Sequence, residues 1–146
     1  MNDNCFIDTN ILVYCYTKDE KVKQQRALEI ANKTDTFIST QVLTELSNTL
    51  TRKFKLEWQT VENVVSEVSS NFNVCVIKPA TIEQACQIAG KYQYSFYDSL
   101  IIAAALACNC KTLYSEDMQD GQVIENSLTI VNPFIEVSSY LHTNLV

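Results

Sequence analysis

A layered α/β domain with a mainly parallel sheet is the fold class this chain predicts. Three observations predict it. Short apolar runs alternate with longer segments of helical period, only two glycines and two prolines interrupt them, and no linker, repeat or low-complexity tract divides the order. The 146 residues fit a single domain, 1–146, long enough to bury a full core.

The elements follow in sequence. Cys5-Phe6-Ile7 is a short apolar run ending at Asp8 and reads as a buried strand. Asp8-Thr9-Asn10 then offers helix-capping side chains ahead of Ile11 to Tyr16. Lys21 to Lys33 sets Val22, Ala27, Ile30 and Ala31 among charges, an amphipathic helix. Thr36-Phe37-Ile38 is a second strand. From Thr40 to Phe54, Val42, Leu43, Leu46, Leu50 and Phe54 make one helical stripe, flanked by Glu45, Thr49 and Arg52. A further helix is expected over Thr60 to Ser70, and a strand over Val74 to Ile77 that Pro79 ends. Thr81 to Tyr92 is helical again, with Ile82, Ala85, Ile88 and Ala89 expected to face the core. Ser95 to Cys108 is apolar almost all round after Asp98, as a central helix against a sheet would be. Thr112-Leu113-Tyr114 and Thr129-Ile130-Val131 complete the strands.

Bulk composition narrows the function. No basic region precedes an apolar run at the N-terminus, and the most apolar segment, Leu100 to Cys108, is far short of the ~20 residues of a spanning helix. A cytoplasmic protein without a membrane partner is expected. The six cysteines are then expected to be reduced, most of them packing as small hydrophobes; there is no CxxC pair, and Cys108-Asn109-Cys110 is a poor zinc signal. A net charge of −6 argues against a basic protein that coats nucleic acid. It does not argue against a metal-dependent nuclease. Setting aside four of the seventeen acids as metal ligands leaves thirteen against eleven bases, and a divalent ion supplies the positive charge a phosphate needs.

Four acids occupy equivalent places in this layout. Asp8 and Asp117 directly follow apolar strands, Glu45 lies early in the helix after the second strand, and Asp98 opens the buried helix. The carboxyl ends of parallel strands share one edge with the helix N-termini, so the four side chains can converge there. Clustered carboxylates raise one another's pKa, and Mg²⁺ or Mn²⁺ reverses that cost by giving hard oxygens a common partner. Such an ion can ready a water for attack on a phosphodiester and stabilise the charge that develops.

A plainer account is available for each acid alone. Asp8, Asp98 and Asp117 could be helix caps, Ser95 and Asp98 fit a capping box, and Glu45 could be a solvated flank. Capping does not explain why Glu45 joins the set beside Leu46. Other chemistries have little material. His142 is the only histidine and lies near the C-terminus, and no GxGxxG or Walker sequence occurs.

The motifs carrying these acids resemble those of PIN-domain nucleases. Ile7-Asp8-Thr9-Asn10-Ile11-Leu12 resembles the first motif and Ser39-Thr40-Gln41-Val42-Leu43-Thr44-Glu45 the second. Tyr97-Asp98-Ser99-Leu100-Ile101 resembles the third, and Leu113-Tyr114-Ser115-Glu116-Asp117-Met118-Gln119-Asp120-Gly121 the fourth. Each is short; four in order, spanning essentially the whole chain, are specific. Length and the lack of appended domains are most similar to the VapC toxins of toxin–antitoxin pairs. The resemblance implies a three-layer domain, its mainly parallel central sheet flanked by helices, and Mg²⁺- or Mn²⁺-dependent endoribonuclease activity. It carries catalytic and metal-binding roles onto Asp8, Glu45, Asp98 and Asp117, and supporting roles onto Asn10 and Ser115. Asp120 either joins the site or caps the turn before Gly121. The resemblance also implies a homodimer and a cognate antitoxin that covers the cleft.

Arg52 shares the flank of Glu45 and could reach an RNA phosphate, and Trp58 could stack on a base. Against this stands a solvated basic turn with Trp58 packed on the core. Two competing functions remain: a haloacid-dehalogenase-like phosphatase using Asp8 as nucleophile, which expects a second Asp where Asn10 stands, and a non-catalytic α/β module that binds metal or a protein.

Overall fold

The first strand, β1, is Cys5–Ile7, and Asp8 ends it by capping the helix that follows. The computed structural model describes residues 3–33 and 35–135. Helices α1 (Thr9–Tyr16) and α2 (Lys21–Ala31) lead to β2 (Thr36–Ser39), then α3 (Thr40–Arg52), α4 (Trp58–Asn71) and β3 (Asn73–Cys75). After β3 come α5 (Pro79–Tyr92), α6 (Phe96–Ala107), β4 (Thr112–Tyr114), β5 (Val123–Ile124) and β6 (Leu128–Val131). The six strands form one sheet in the order β3-β2-β1-β4-β6-β5, parallel throughout except for the β5–β6 pair.

This order fixes where ligands can bind. From β1 the chain winds outward through β2 to β3, then crosses back to place β4 on the other side of β1. Right-handed crossovers in the two directions put their helices on opposite faces, which makes three layers. The reversal leaves a crevice beyond the carboxyl ends of β1 and β4, where open α/β sheets take their ligands. Phe6, Ile7, Leu113 and Ile130 are fully buried between the layers, as is Ile102 of α6. Burial on this scale contributes ~1.5–3 kcal/mol for each large apolar side chain.

Several elements differ from the sequence expectation. Helix α4 starts at Trp58 rather than Thr60, and α5 starts at Pro79, whose fixed φ suits a first helical position. Starting α5 earlier accompanies an inner face made of Thr81, Ala85 and Ile88, so Ile82 is exposed instead of facing the core. Val22 of α2 is likewise exposed, while Ala27 and Ile30 turn inward. Strand β3 begins one residue early and stops at Cys75. The β5–β6 hairpin was invisible because β5 is only two residues long and its turn, Glu125-Asn126, has positive φ without a glycine. The thiols are corrected too. Cys75 and Cys108 form a disulfide, with Cα atoms 6.6 Å apart. Their separation of 33 residues conceals that the sheet-edge strand β3 and the end of α6 are neighbours.

Candidate active site

Asp8 stands at the end of β1 with its backbone N–H donating to the Tyr114 carbonyl at 3.0 Å, so the exits of β1 and β4 are laced together. Its carboxylate is buried, 6 % exposed. One oxygen accepts the Thr9 N–H at 2.7 Å, and the other accepts the Ser115 hydroxyl at 2.8 Å. The same Ser115 oxygen accepts the Asp117 N–H at 3.3 Å. One buried hydroxyl thus fastens an acid of the β1 loop to the backbone of an acid in the β4 loop.

Glu45 reaches the crevice from the second turn of α3, a helix that Ser39 caps by accepting the Val42 N–H. The Thr9 hydroxyl donates to Glu45 at 2.6 Å, a charge-assisted bond that ties α1 to α3. Gln41 donates to the Tyr97 carbonyl at 3.1 Å and lies 3.5 Å from the other Glu45 oxygen, linking α3 to the start of α6. Asp98 enters on the first turn of α6, whose N-cap Ser95 accepts the Asp98 N–H at 3.2 Å. Asn10 donates its side-chain amide to Asp117. Beside Asp117, Glu116 accepts Tyr14 and Lys23, each at 2.7 Å, and anchors the loop to α1 and α2.

Asp8, Glu45, Asp98 and Asp117 all line one open cavity of about 260 Å³, together with Thr9, Asn10, Asn48, Thr49 and Ile101. Burial pushes the Asp8 carboxyl up from 3.8 to about 6; the bonds from Ser115 and Thr9 oppose the rise, and the charges of Glu45 and Asp98 add to it. Asp98 is also raised, chiefly by burial, against its bond with Ser95 and with the charge of Asp117 adding. These acids are held where a cation would lower their cost.

Among the described residues, no three Asp, Glu, His or Cys side chains stand close enough to hold an ion directly between them. The donor set is nonetheless all oxygen and surrounds a polar hollow. That suits a hydrated Mg²⁺, which is bound by one or two carboxylates and keeps several waters. It does not describe four acids gripping one ion at once.

The remaining expected residues lie elsewhere. Asp120 accepts the Asn132 N–H at 2.8 Å and pins the turn before Gly121; it is not in the cavity lining. Arg52 is exposed on α3, outside the lining. Trp58 does not pack on the core: it is 72 % exposed. His142 lies outside the described residues. Thr9, Gln41 and Asn48 were not singled out from the sequence. Asn48 had a signal, since it follows Glu45 by three residues and so shares its face of the helix.

A family model described as PIN domain matches residues 5–119. The chain belongs to the PIN-domain family. Among solved structures, a toxin–antitoxin complex from Klebsiella pneumoniae is similar at TM-score 0.64 and 20% identity, covering 89% of this chain and 98% of that one. VapC20 of Mycobacterium tuberculosis, described as a sarcin–ricin loop cleaving toxin, is similar at TM-score 0.63 and 19% identity over 75% of this chain and 87% of that one. VapBC2 of Rickettsia felis, bound to a DNA fragment from its promoter, is similar at TM-score 0.63 and 19% identity over 88% and 98%. A search of curated protein sequences finds no match.

Proposed function

We propose that the chain, 1–146, is a single-domain Mg²⁺- or Mn²⁺-dependent endoribonuclease, the toxin of a toxin–antitoxin pair. One observation carries the reading: acids from four separate elements line one cavity at the point where the strand order reverses. Asp8, Glu45, Asp98 and Asp117 would hold the ion, and Asn10 and Ser115 keep Asp117 and Asp8 in place. When bound, the ion supplies positive charge for the phosphate and acidity to the attacking water. The chain's own part is placement: Ser115, Thr9 and Gln41 fix the carboxylates before substrate arrives, so little reorganisation is left for the reaction. Arg52, two helical turns beyond Glu45, is assigned to a phosphate of the substrate strand.

Membership of the PIN-domain family and the likeness to toxin–antitoxin structures support a reading of the partners. RNA is the substrate, a cognate antitoxin is the inhibitor, and a homodimer is the working form. Among the described residues no helix is long and apolar enough to cross a membrane, and the cytoplasm is the proposed location.

Asp98→Asn should abolish RNA cleavage while leaving the fold intact, because it removes a half-buried charge without changing shape. Cleavage of total RNA with Mg²⁺ or Mn²⁺, followed on gels alongside circular dichroism, is the check. Equal cutting by wild type and variant, in preparations shown free of other nucleases, contradicts the assignment.

A further inference from the structure

The chain carries a net charge of −6, yet its segment from Arg52 to Trp58 holds three bases and one acid, Glu57. Among the described residues neither Arg52 nor Lys55 takes part in an ion pair, and the Lys53 ammonium lies over the Phe54 ring, 5.6 Å from its centre. The turn is fixed: Lys55 has φ 58°, and the next N–H, of Leu56, donates back to the Leu50 carbonyl at 3.1 Å. At its far end stands Trp58, the most exposed large hydrophobic side chain of the described residues. Among the described residues, an indole in that position is left with most of its apolar surface in water.

One face of α3 leads from the cavity toward this turn. Glu45, Asn48, Thr49 and Arg52 follow one another at helical spacing along a single face of α3, the first three in the cavity lining. Glu45 to Arg52 is about 10 Å along the helix axis. A strand leaving the acids along α3 would therefore meet bases for its phosphates and then a flat aromatic ring.

We propose that Arg52, Lys53, Lys55 and Trp58 form an exit platform for single-stranded RNA, with Trp58 stacking on a base a short way from the scissile phosphate. The proposal rests on the nuclease reading and adds the substrate's path. The local positive charge selects a polyanion over a protein partner, and stacking on an aromatic face is tolerant of sequence. The platform favours an unpaired strand, since a base inside a duplex cannot offer its face.

Trp58 is the only tryptophan, so intrinsic fluorescence reports on it alone. The probe is a short mixed-sequence single-stranded RNA, titrated in EDTA and again in Ca²⁺. Binding should quench the fluorescence. Trp58→Ala should weaken binding roughly 5- to 150-fold, the range for losing one stacked base. Trp58→Phe should restore most of it, and Arg52→Ala and Lys55→Ala should each lower the salt slope by about 0.7. Trp58→Ala should keep the wild-type metal-induced rise in melting temperature. An affinity unchanged in Trp58→Ala, a wild type that binds in neither buffer, or a variant that loses self-association while binding RNA normally would each overturn the platform. Cleavage of total RNA by the wild type decides the nuclease reading separately.

Discussion

Asp8 concentrates the site's electrostatic cost in one residue. Its carboxyl is held near 6 by burial, so the metal-free protein must ionise it at neutral pH against a preference for the proton. The folded state binds that proton more tightly than the unfolded state. The associated stability is therefore complete below the ordinary value of 3.8 and lost as pH rises through about 6. Asp8→Asn keeps an oxygen for the Thr9 N–H and has no charge to lose. The amide also turns a donor toward Ser115 in place of an acceptor, a cost that does not depend on pH. We therefore expect the metal-free variant's stability relative to the wild type to be ~2–3 kcal/mol more favourable above pH ~7 than near pH ~4. Urea denaturation at both pH values in EDTA reads this directly; a gap of the same size at both would show that ionisation is not its source. Sequence pattern alone pointed to the four acids, because Asp8 and Asp117 follow strands, Asp98 opens a helix and Glu45 lies early in one. It could not show that Thr9 bonds Glu45 or that Gln41 bonds the Tyr97 carbonyl. Those partners are brought together by packing, and Thr and Gln are common on helices for other reasons.

Among the elements, β3 is weakly supported by the sheet: three residues at an edge, partly exposed. The disulfide to Cys108 ties it to the end of α6 across 33 residues. Closing a loop of that length removes unfolded-state entropy worth ~3–4 kcal/mol. Cys75→Ser should lower stability by about that amount in denaturant titrations, and a reducing agent should lower the wild type equally while leaving the variant unmoved. Helix α5 offers the opposite case. It ends at Gln93 with φ 63°, a left-handed position where glycine is favoured. Gln93→Gly should stabilise by ~0.5–1 kcal/mol, read as a raised melting temperature; a fall would mean that the Gln93 side chain matters more than its backbone. The order of helices and parallel strands was legible because apolar period and strand length agree there. The inner face of α5 was misread because a threonine, Thr81, occupies a buried position and Ile82 an exposed one.

For the whole molecule, the acids matter most through what they would bind. An ion taken up by the folded cavity and not by the unfolded chain stabilises by ~2.7 kcal/mol at a hundredfold excess over its dissociation constant. In a domain of this size that is a rise of roughly 5–15 °C. Differential scanning fluorimetry with Mg²⁺ or Mn²⁺ against EDTA should show it, and Asp8→Asn should reduce it. No shift at millimolar metal would favour a module that does no chemistry. The topology was legible in outline from the alternation of strands and helices, but its reversal between β1 and β4 was not, since spatial order leaves no local trace. The Asp8 and Ser115 side chains that meet there are 107 residues apart. A ribosome making this protein therefore releases Asp8 long before Asp117, and no growing chain that stops short of the fourth motif carries the full acid set. On the nuclease reading proposed above, an unfinished copy could not cut the messenger that encodes it.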